Sequence, residues 1–223
     1  MKTILYCIFS ISFLLTSCQG NSQTHTKENS TSQQKNIKPV QTESINGLDR
    51  AYFASGCFWC VEAIYESVKG VKEVTSGYSG GHTKNPTYES SNTGRTGHAE
   101  AVEVLYDPSI ISFSTLVDVY FGSQNPSQIN GQGPDRGSQY RSIIFFQNED
   151  QKNIITKKKD LLGKTLNRHI AAEVLPFQKF WKAEGYHQDY EKRNPYNRYI
   201  QNVSIPRLRR FQKKFPELIQ NTH

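Results

Sequence analysis

The chain has 223 residues, a formal net charge of +7 and four cysteines. About 175 residues follow its N-terminal segments, a normal length for one domain with a substantial core. The excess positive charge lies in three consecutive lysines at 157–159 and in a C-terminal cluster formed by Arg207, Arg209, Arg210, Lys213 and Lys214. A nucleic-acid patch is one interpretation, but solvated helix faces are commoner, so we expect no nucleic-acid partner.

Residues 1–17 are predicted to be a lipoprotein signal peptide. Lys2 gives a positive start, residues 4–15 form an apolar run that is short for a membrane span, and small residues precede Cys18. This arrangement resembles the lipobox of bacterial lipoproteins, in which the cysteine is acylated. An uncleaved anchor or a plain secretory signal is the alternative. With any of these, we expect the chain to leave the cytoplasm. With the lipobox, we expect a lipid on Cys18 to attach it to a membrane of the cell envelope.

Residues 18–47 are predicted to be a flexible polar tether. From residue 19 to residue 46 the sequence is rich in Ser, Thr, Asn, Gln and Lys and contains no aromatic residue. Such a segment cannot bury enough apolar surface to offset the entropy lost on ordering. The composition changes at about Leu48, and we therefore expect a single catalytic domain over residues 48–223.

The most informative motif places Cys57 and Cys60 three residues apart, where an extended segment at 51–55 precedes a helix. The helix is predicted from an apolar stripe with a 3.6-residue period that ends at Gly70, formed by Val61, Ile64, Tyr65 and Val68. The helix N-terminus would favour the thiolate of Cys57 and make it a nucleophile. Half of a zinc site, a static disulfide and a pair of inert buried thiols are the alternatives, although a structural zinc site needs four ligands.

The elements that follow predict an α+β fold. Strands are expected over residues 71–80, 99–106, 140–146 and 169–175, and helices after Ser112 and Asn148, the second ending at about Gly163. Long polar loops cover residues 77–88 and 122–139, and an aromatic segment and a basic helix end the chain. Because adjacent strands separate the helices, we expect a two-layer sandwich rather than a doubly wound parallel sheet.

Glu100 is a candidate general acid. It begins the strand at 99–106, where alternation places it on one face with Val102 and places Ala101 and Glu103 on the other. A carboxyl group on the apolar side would keep its proton above the usual pKa and could donate it. A surface glutamate is the ordinary interpretation of a single strand carboxylate.

Seven short motifs together resemble the A-type peptide methionine sulfoxide reductases. The matching segments occur in the family's order over about residues 50–200, at 56–59 (GCFW), 77–81 (GYSGG), 85–88 (NPTY), 96–100 (TGHAE), 106–108 (YDP), 135–142 (DRGSQYRS) and 186–190 (YHQDY). The resemblance implies a two-layer sandwich with a mixed sheet and a ferredoxin-like core. It also implies a peptide-methionine (S)-S-oxide reductase, acting on oxidised methionine in proteins and on free methionine sulfoxide.

The resemblance assigns the catalytic residues. Cys57 would attack the sulfoxide sulfur, and Glu100 would protonate the oxygen with the help of hydrogen bonds from Tyr88 and Tyr140. The products would be methionine and a sulfenic acid on Cys57, which a second thiol must resolve.

The resemblance also assigns the binding residues and the partners. Phe58 and Trp59 would hold the ε-methyl group of the substrate, and Asp135 would support the pocket. No prosthetic cofactor or metal is implied, but an external thioredoxin-type dithiol is needed as reductant. We expect a monomer.

Cys60 departs from the commonest family pattern, which has glycine there and places resolving cysteines near the C-terminus. With Cys7 removed with the signal and Cys18 lipidated, Cys60 is the only free thiol left to resolve Cys57. A thioredoxin-like thiol-disulfide oxidoreductase is the alternative enzyme, since CxxC at a helix start is also its signature. A tethered methionine-binding module is the non-enzymatic alternative, but it would have no use for a second thiol.

Overall fold

The computed structural model describes residues 37–220, so the predicted signal peptide, most of the tether and Cys18 lie outside the described residues. The longer strands are β1 (Asp49–Ala54), β2 (Val71–Ser79), β3 (Ala99–Tyr106), β6 (Ile143–Phe146), β7 (Glu173–Pro176) and β8 (Phe180–Lys182), and a two-residue hairpin pairs β4 (Gly131–Gln132) with β5 (Asp135–Arg136). The α-helices are α1 (Phe58–Glu66), α2 (Tyr88–Asn92), α3 (Phe113–Gly122), α4 (Glu149–Leu166), α5 (Tyr190–Arg193) and α6 (Ile205–Lys214), and a π-helical turn (Ile200–Ser204) leads directly into α6.

Six strands form one mixed sheet in the order β7-β6-β1-β3-β2-β8. The β6–β7 pair is parallel and the other neighbours are antiparallel. Strands and helices in this arrangement confirm the predicted α+β class with a mixed sheet.

The two faces of the sheet bury different sets of residues. On one face, Phe53, Val102 and Ile144 pack with apolar side chains of α1, α3 and α4 in the larger core. On the other face, Tyr52, Ala54 and Ala101 belong to a smaller cluster, in which the Phe177 ring stacks on Tyr52 at a centroid distance of 3.8 Å. Alternation along β1 and β3 therefore places a buried side chain on both faces at the centre of the sheet.

Both predicted helix caps are present. The Ser112 hydroxyl accepts a hydrogen bond from the Thr115 amide at the start of α3, and the Asn148 side chain accepts one from the Gln151 amide at the start of α4. The predicted end of α4 at about Gly163 is three residues early, since the helix continues to Leu166 and stops at Asn167, which has a left-handed backbone with φ of 48°.

Two predicted strands are shorter than expected. The segment containing Tyr140 is a 3₁₀ turn (Ser138–Tyr140), because Gly137 has a φ of 131° and its carbonyl accepts a hydrogen bond from the Tyr140 amide. Residues 169–172 lie outside the sheet, and the Ala171 amide donates to the carbonyl of Pro126 in a loop. The first deviation follows from a local glycine turn, whereas the second depends on Pro126, which is distant in the chain.

The N-terminal part of the described chain packs on the domain before residue 48. The Val40 amide donates to the Phe177 carbonyl, the Thr42 amide donates to Gln147 and the Gln178 side chain donates to the Lys38 carbonyl, each at 2.8 Å. The predicted boundary between tether and domain is therefore about ten residues too late. Within residues 37–220, no helix combines the length and the apolar character that crossing a membrane requires.

The prediction of solvated basic helix faces holds for Arg209 and Arg210 but is wrong for Arg207. Arg207 is only 7% exposed, and its guanidinium donates hydrogen bonds to Ser55 and Ser123. The sequence composition could not distinguish the buried Arg207 from the exposed Arg209 and Arg210, because these arginines differ only in the face of α6 on which they lie.

Candidate active site

Cys57 is the N-cap residue of α1 and is 6% exposed. The turn that brings it there depends on Gly56, whose φ of +75° favours glycine. A Cβ atom at this position would also lie 2.5 Å from the Cβ of Gln132. The predicted position of Cys57 at a helix start is therefore confirmed, and close packing against the loop after α3 holds it there.

A cavity of about 230 Å³ opens on Cys57. It brings together most of the residues that the sequence predicts for the site, and its lining consists of Cys57, Phe58, Trp59, Tyr88, Glu100, Asp135, Tyr140, Asn197 and Tyr199. Cys60 is absent from this lining, and Asn197 and Tyr199 are additions that the sequence analysis missed. No group of three or more His, Cys, Asp or Glu side chains within residues 37–220 is arranged to hold a metal ion.

Glu100 lies at the floor of this cavity and is 2% exposed. One of its carboxyl oxygens, Oε2, accepts a hydrogen bond of 2.9 Å from the Phe58 amide, in the first turn of α1. Burial raises the pKa of Glu100 to about 8, and the charges of Asp135 and Cys60 act in the same direction, against the Phe58 hydrogen bond. Glu100 is therefore a protonated carboxylic acid at neutral pH and can donate a proton into the cavity.

Two phenols face the same cavity from different elements. Tyr88 starts α2, and its amide donates to Oε1 of Glu184 at 2.9 Å. Tyr140 ends the 3₁₀ turn, and Arg141 connects this turn with the segment just before β3 by donating to the carbonyls of Ser138 and Gly97. Burial raises the pKa of both phenols, so that each keeps its proton as a hydrogen-bond donor.

Phe58 and Trp59 form an aromatic wall. The Trp59 ring stacks on Tyr190 with a centroid distance of 3.7 Å, and its indole N–H donates to Nδ1 of the buried His187 at 3.2 Å. His187 also lies against Phe58 and Tyr88. The segment at 186–190 thus fixes the orientation of this wall. The sequence analysis quoted that segment as a motif and assigned it no role.

Asp135 and Tyr199 connect the cavity with Cys60. The Tyr199 hydroxyl donates to Asp135 at 2.6 Å and lies 3.6 Å from the sulfur of Cys60. Asp135 also lines a second cavity, of about 740 Å³, whose lining includes the buried Cys60 instead of Cys57. The two cysteines therefore face different cavities on the two sides of the first turn of α1.

The two thiols are unbridged and buried. Burial raises the pKa of Cys57 well above its ordinary value, and the neighbouring Cys60 adds to the shift. Interaction with Cys57 lowers the pKa of Cys60, although burial of Cys60 opposes this shift. A thiolate on Cys57 stays a prediction, because burial of its sulfur acts against the helix N-terminus.

Comparisons with known proteins agree on one family. The family model described as peptide methionine sulfoxide reductase matches residues 49–219. The peptide methionine sulfoxide reductase MsrA of Pasteurella multocida is 47% identical over 169 residues, which are 76% of this chain and 97% of that protein.

Solved structures point the same way. Methionine sulfoxide reductase A of Corynebacterium diphtheriae is 32% identical with a TM-score of 0.62, over 72% of this chain and 83% of that one. Mxr1 from Saccharomyces cerevisiae in its reduced form is 29% identical with a TM-score of 0.66, over 72% and 93% of the two chains.

Proposed function

The chain belongs to the peptide methionine sulfoxide reductase family and is a methionine sulfoxide reductase, and we propose that its reaction passes through a sulfenic acid on Cys57 that Cys60 resolves. The substrates are methionine-S-sulfoxide in proteins and free methionine sulfoxide. The observation that carries the assignment of residues is the convergence of Cys57, protonated Glu100 and two phenols on one cavity of about 230 Å³. That volume suits a side chain rather than a large ligand.

In the first step the sulfoxide oxygen occupies the end of the cavity near Glu100, Tyr88 and Tyr140. The carboxylic acid protonates the oxygen while the sulfur of Cys57 attacks the sulfoxide sulfur. The oxygen is transferred to Cys57, methionine leaves, and the thiol proton of Cys57 replaces the one that Glu100 donated. The balance is one thiol and one sulfoxide converted to one sulfenic acid and one thioether.

Phe58 and Trp59 orient the substrate in this step. Their faces provide an apolar surface for the methyl group beside the sulfoxide sulfur. Since Tyr190 and His187 hold Trp59 in place, the methyl group is directed to one side of the cavity and the oxygen to the other. This asymmetry is the physical basis for accepting one sulfoxide epimer.

In the second step the thiolate of Cys60 attacks the sulfenic sulfur of Cys57. A disulfide forms, the S–O bond breaks, and the departing hydroxide takes a proton to become water. A thioredoxin-type dithiol then exchanges with this disulfide, so that the donor is oxidised and both cysteines are reduced. No prosthetic group takes part.

The resolving role is tested with Cys60→Ser. In a single turnover this variant should release about one methionine per enzyme, because Cys57 is retained, while recycling by a thioredoxin-type donor should fall at least tenfold. Methionine release and mass spectrometry of both cysteines measure the two effects. Cys57→Ser is the matched control and should abolish both reactions. Normal recycling of Cys60→Ser, or a stable sulfenic acid on Cys57 beside a free Cys60 in the oxidised native chain, contradicts the proposal.

We also propose that the enzyme is a lipoprotein of the cell envelope. The signal-like residues 1–17, Cys18 and the polar composition after it support this location. The tether would hold the catalytic domain off the membrane surface, where exported proteins with oxidised methionines are accessible. The reductant would then be a thioredoxin-type dithiol that is also located in the cell envelope.

A further inference from the structure

Glu184 is a partly buried carboxylate that contacts both sides of the candidate active site from outside it. It follows the edge strand β8 and precedes a 3₁₀ turn (Gly185–His187), in which the His187 amide donates to the Glu184 carbonyl at 2.9 Å. The Glu184 side chain is 32% exposed and does not line the cavity at Cys57. Any effect of Glu184 on the reaction therefore passes through its neighbours.

The two carboxyl oxygens of Glu184 accept hydrogen bonds from two separate elements. Oε1 accepts from the Tyr88 amide at the start of α2, and Oε2 accepts from the Tyr78 hydroxyl on β2, each at 2.9 Å. Tyr78 is fully buried and lies opposite Glu100 in the register of β2 and β3. Burial acts to raise the pKa of Glu184, but these donors outweigh it and lower the pKa, so the group is a carboxylate at neutral pH. The carboxylate thus joins the start of α2, which carries the Tyr88 phenol, to the strand beside the general acid.

The same carboxylate faces His187, which holds the aromatic wall. An indole N–H can only donate, so Nδ1 of His187 accepts the hydrogen bond of 3.2 Å from Trp59. Burial lowers the pKa of His187, although the charge of Glu184 opposes this shift, and the ring is neutral at neutral pH. A neutral imidazole that accepts at Nδ1 carries its proton on Nε2.

The Nε2–H group of His187 is buried and faces Glu184. His187 is 1% exposed, and no other residue within 37–220 gives Nε2 a hydrogen-bond partner. Oε2 of Glu184 lies 3.9 Å from Nε2, which is longer than a hydrogen bond. A buried donor without a partner is unfavourable, and a negative charge that faces it offsets part of that cost. Glu184 therefore favours the tautomer of His187 that can accept from Trp59.

We propose that Glu184 is the positioning residue that holds the Tyr88 phenol and the Trp59 ring in a fixed relation across the cavity. This role rests on the functions proposed above for Tyr88 and Trp59. The phenol donates to the sulfoxide oxygen, the indole contacts the ε-methyl group, and both substrate groups are attached to the same sulfur. A misplacement of about 1 Å in such a site can lower a rate about 100-fold. One carboxylate thus aligns the two contacts that distinguish the oxygen of the substrate from its methyl group.

The experiment is a double-mutant cycle of Glu184→Ala and Tyr88→Phe, with single-turnover methionine release from a methionine-S-sulfoxide peptide as the readout. Glu184→Ala should lower the rate at saturating peptide about tenfold, because the phenol is displaced, and should raise the half-saturating concentration severalfold, because Trp59 is displaced. In the Tyr88→Phe background the same substitution should lower the saturated rate less than twofold, because the phenol through which it acts is absent. A merely structural residue would cause the same loss in both backgrounds.

Two outcomes of this cycle overturn the proposal, namely a native rate in Glu184→Ala and a further tenfold loss when Glu184→Ala is added to Tyr88→Phe. Glu89→Ala is the matched control, because it removes an exposed carboxylate next to Tyr88 and should change neither quantity more than twofold. Glu184→Gln keeps the size and one oxygen acceptor, so its rate should lie between the native rate and that of Glu184→Ala, and a lower rate than in Glu184→Ala contradicts the proposal. A native rate in Tyr88→Phe alone would refute the role of the phenol in the proposed function, and this proposal with it.

A last measurement requires no Glu184 variant to fold. Long-range proton–nitrogen NMR spectra of the native chain at pH 7 should show His187 with a proton on Nε2 and none on Nδ1. The signals are assigned by their loss in His187→Asn, which keeps an acceptor close to the position of Nδ1. A proton on Nδ1 of His187 would exclude the hydrogen bond from Trp59 and overturn the proposal.

Discussion

Glu100 shows how burial alone changes the chemistry of one residue. Its carboxyl group is enclosed between β3 and the start of α1, where the Phe58 amide is its one strong stabilising partner for the charged form. A buried carboxylate with so few donors is less stable than the carboxylic acid. Its position on the strand therefore supplies the protonated carboxyl group that the proposed role of general acid requires.

The catalytic role of Glu100 predicts a large kinetic effect. Glu100→Gln removes the proton donor and keeps the shape, so the rate of sulfenic acid formation should fall by about 100-fold or more. In the native chain the same rate should be highest below about pH 8 and should decrease above it, as Glu100 ionises. Rapid-quench single-turnover assays across pH measure both. Glu103→Gln, on the opposite face of the same strand, is the control, and an unaffected rate in Glu100→Gln would contradict the role.

The same residue predicts a dependence of stability on pH. The pKa of Glu100 is about 8 in the folded chain against 4.5 ordinarily, so between these values the folded chain holds a proton that the unfolded chain has lost. This contribution to stability is complete below about pH 4.5 and is lost as the pH rises to 8. Glu100→Gln should therefore gain stability relative to the native chain from pH 5 to pH 8. Urea unfolding at several pH values measures the difference in free energy of unfolding between the two chains. A difference that does not change with pH would show that the pKa of Glu100 is not raised in the folded chain.

At the scale of elements, the start of α1 organises the site. The helix places Cys57 at its N-cap, Phe58 and Trp59 in the first turn, and Cys60 facing the other side. Two adjacent features make this possible, namely the left-handed turn at Gly56 and the hairpin residue Gln132, which packs directly against it. The geometry of the nucleophile thus depends on an element about 75 residues further along the chain.

Gly56→Ala tests this dependence. The alanine would meet both an unfavourable φ and the Cβ of Gln132, whereas Gly47→Ala, with a φ of +77° and no atom within 4 Å, meets only the first. We expect a loss of about 1 kcal/mol for Gly47→Ala and roughly 1 to 2 kcal/mol more for Gly56→Ala. Denaturant unfolding measures both, and single-turnover rates should fall only for Gly56→Ala. If Gly56→Ala and Gly47→Ala lost the same stability, the segment around Gln132 would move aside without strain, and the proposed dependence would be wrong.

At the scale of the whole molecule, the C-terminal segment completes the site. Tyr190 and His187 hold Trp59, Tyr199 connects Asp135 with Cys60, and Arg207 lines the same cavity as Cys60. These residues wrap around the first turn of α1 from the far end of the chain. The cavity at Cys57 and the cavity at Cys60 share Asp135 in their linings.

The proposed lipid anchor predicts where the whole molecule resides. Cys18→Ala should prevent acylation, so that the protein is released into a soluble envelope fraction or accumulates as unprocessed precursor. Membrane fractionation and intact-mass analysis measure the two outcomes. Ser17→Ala, which keeps a small residue before the cysteine, is the matched control. Cleavage and membrane retention of Cys18→Ala as in the native chain would contradict the lipoprotein proposal.

Local patterns in the sequence determined much of the secondary structure and most of the candidate site residues of this protein. The apolar stripe of α1, the caps at Ser112 and Asn148 and the alternation around Glu100 are set by neighbours within a few residues, so they could be read without the fold. The order of the motifs led to the family and to Cys57, Glu100, Tyr88 and Tyr140 as its site residues.

Only the tertiary structure decided where charge resides and which distant groups meet. Tyr199 has no local signal, because its partners Asp135 and Cys60 are 64 and 139 positions away. Arg207 looks like its exposed neighbours in sequence and differs from them only through the side of α6 that packs inward. The raised pKa values of Glu100 and Cys57 follow from their burial, which is a property of the packed chain that no window of sequence contains.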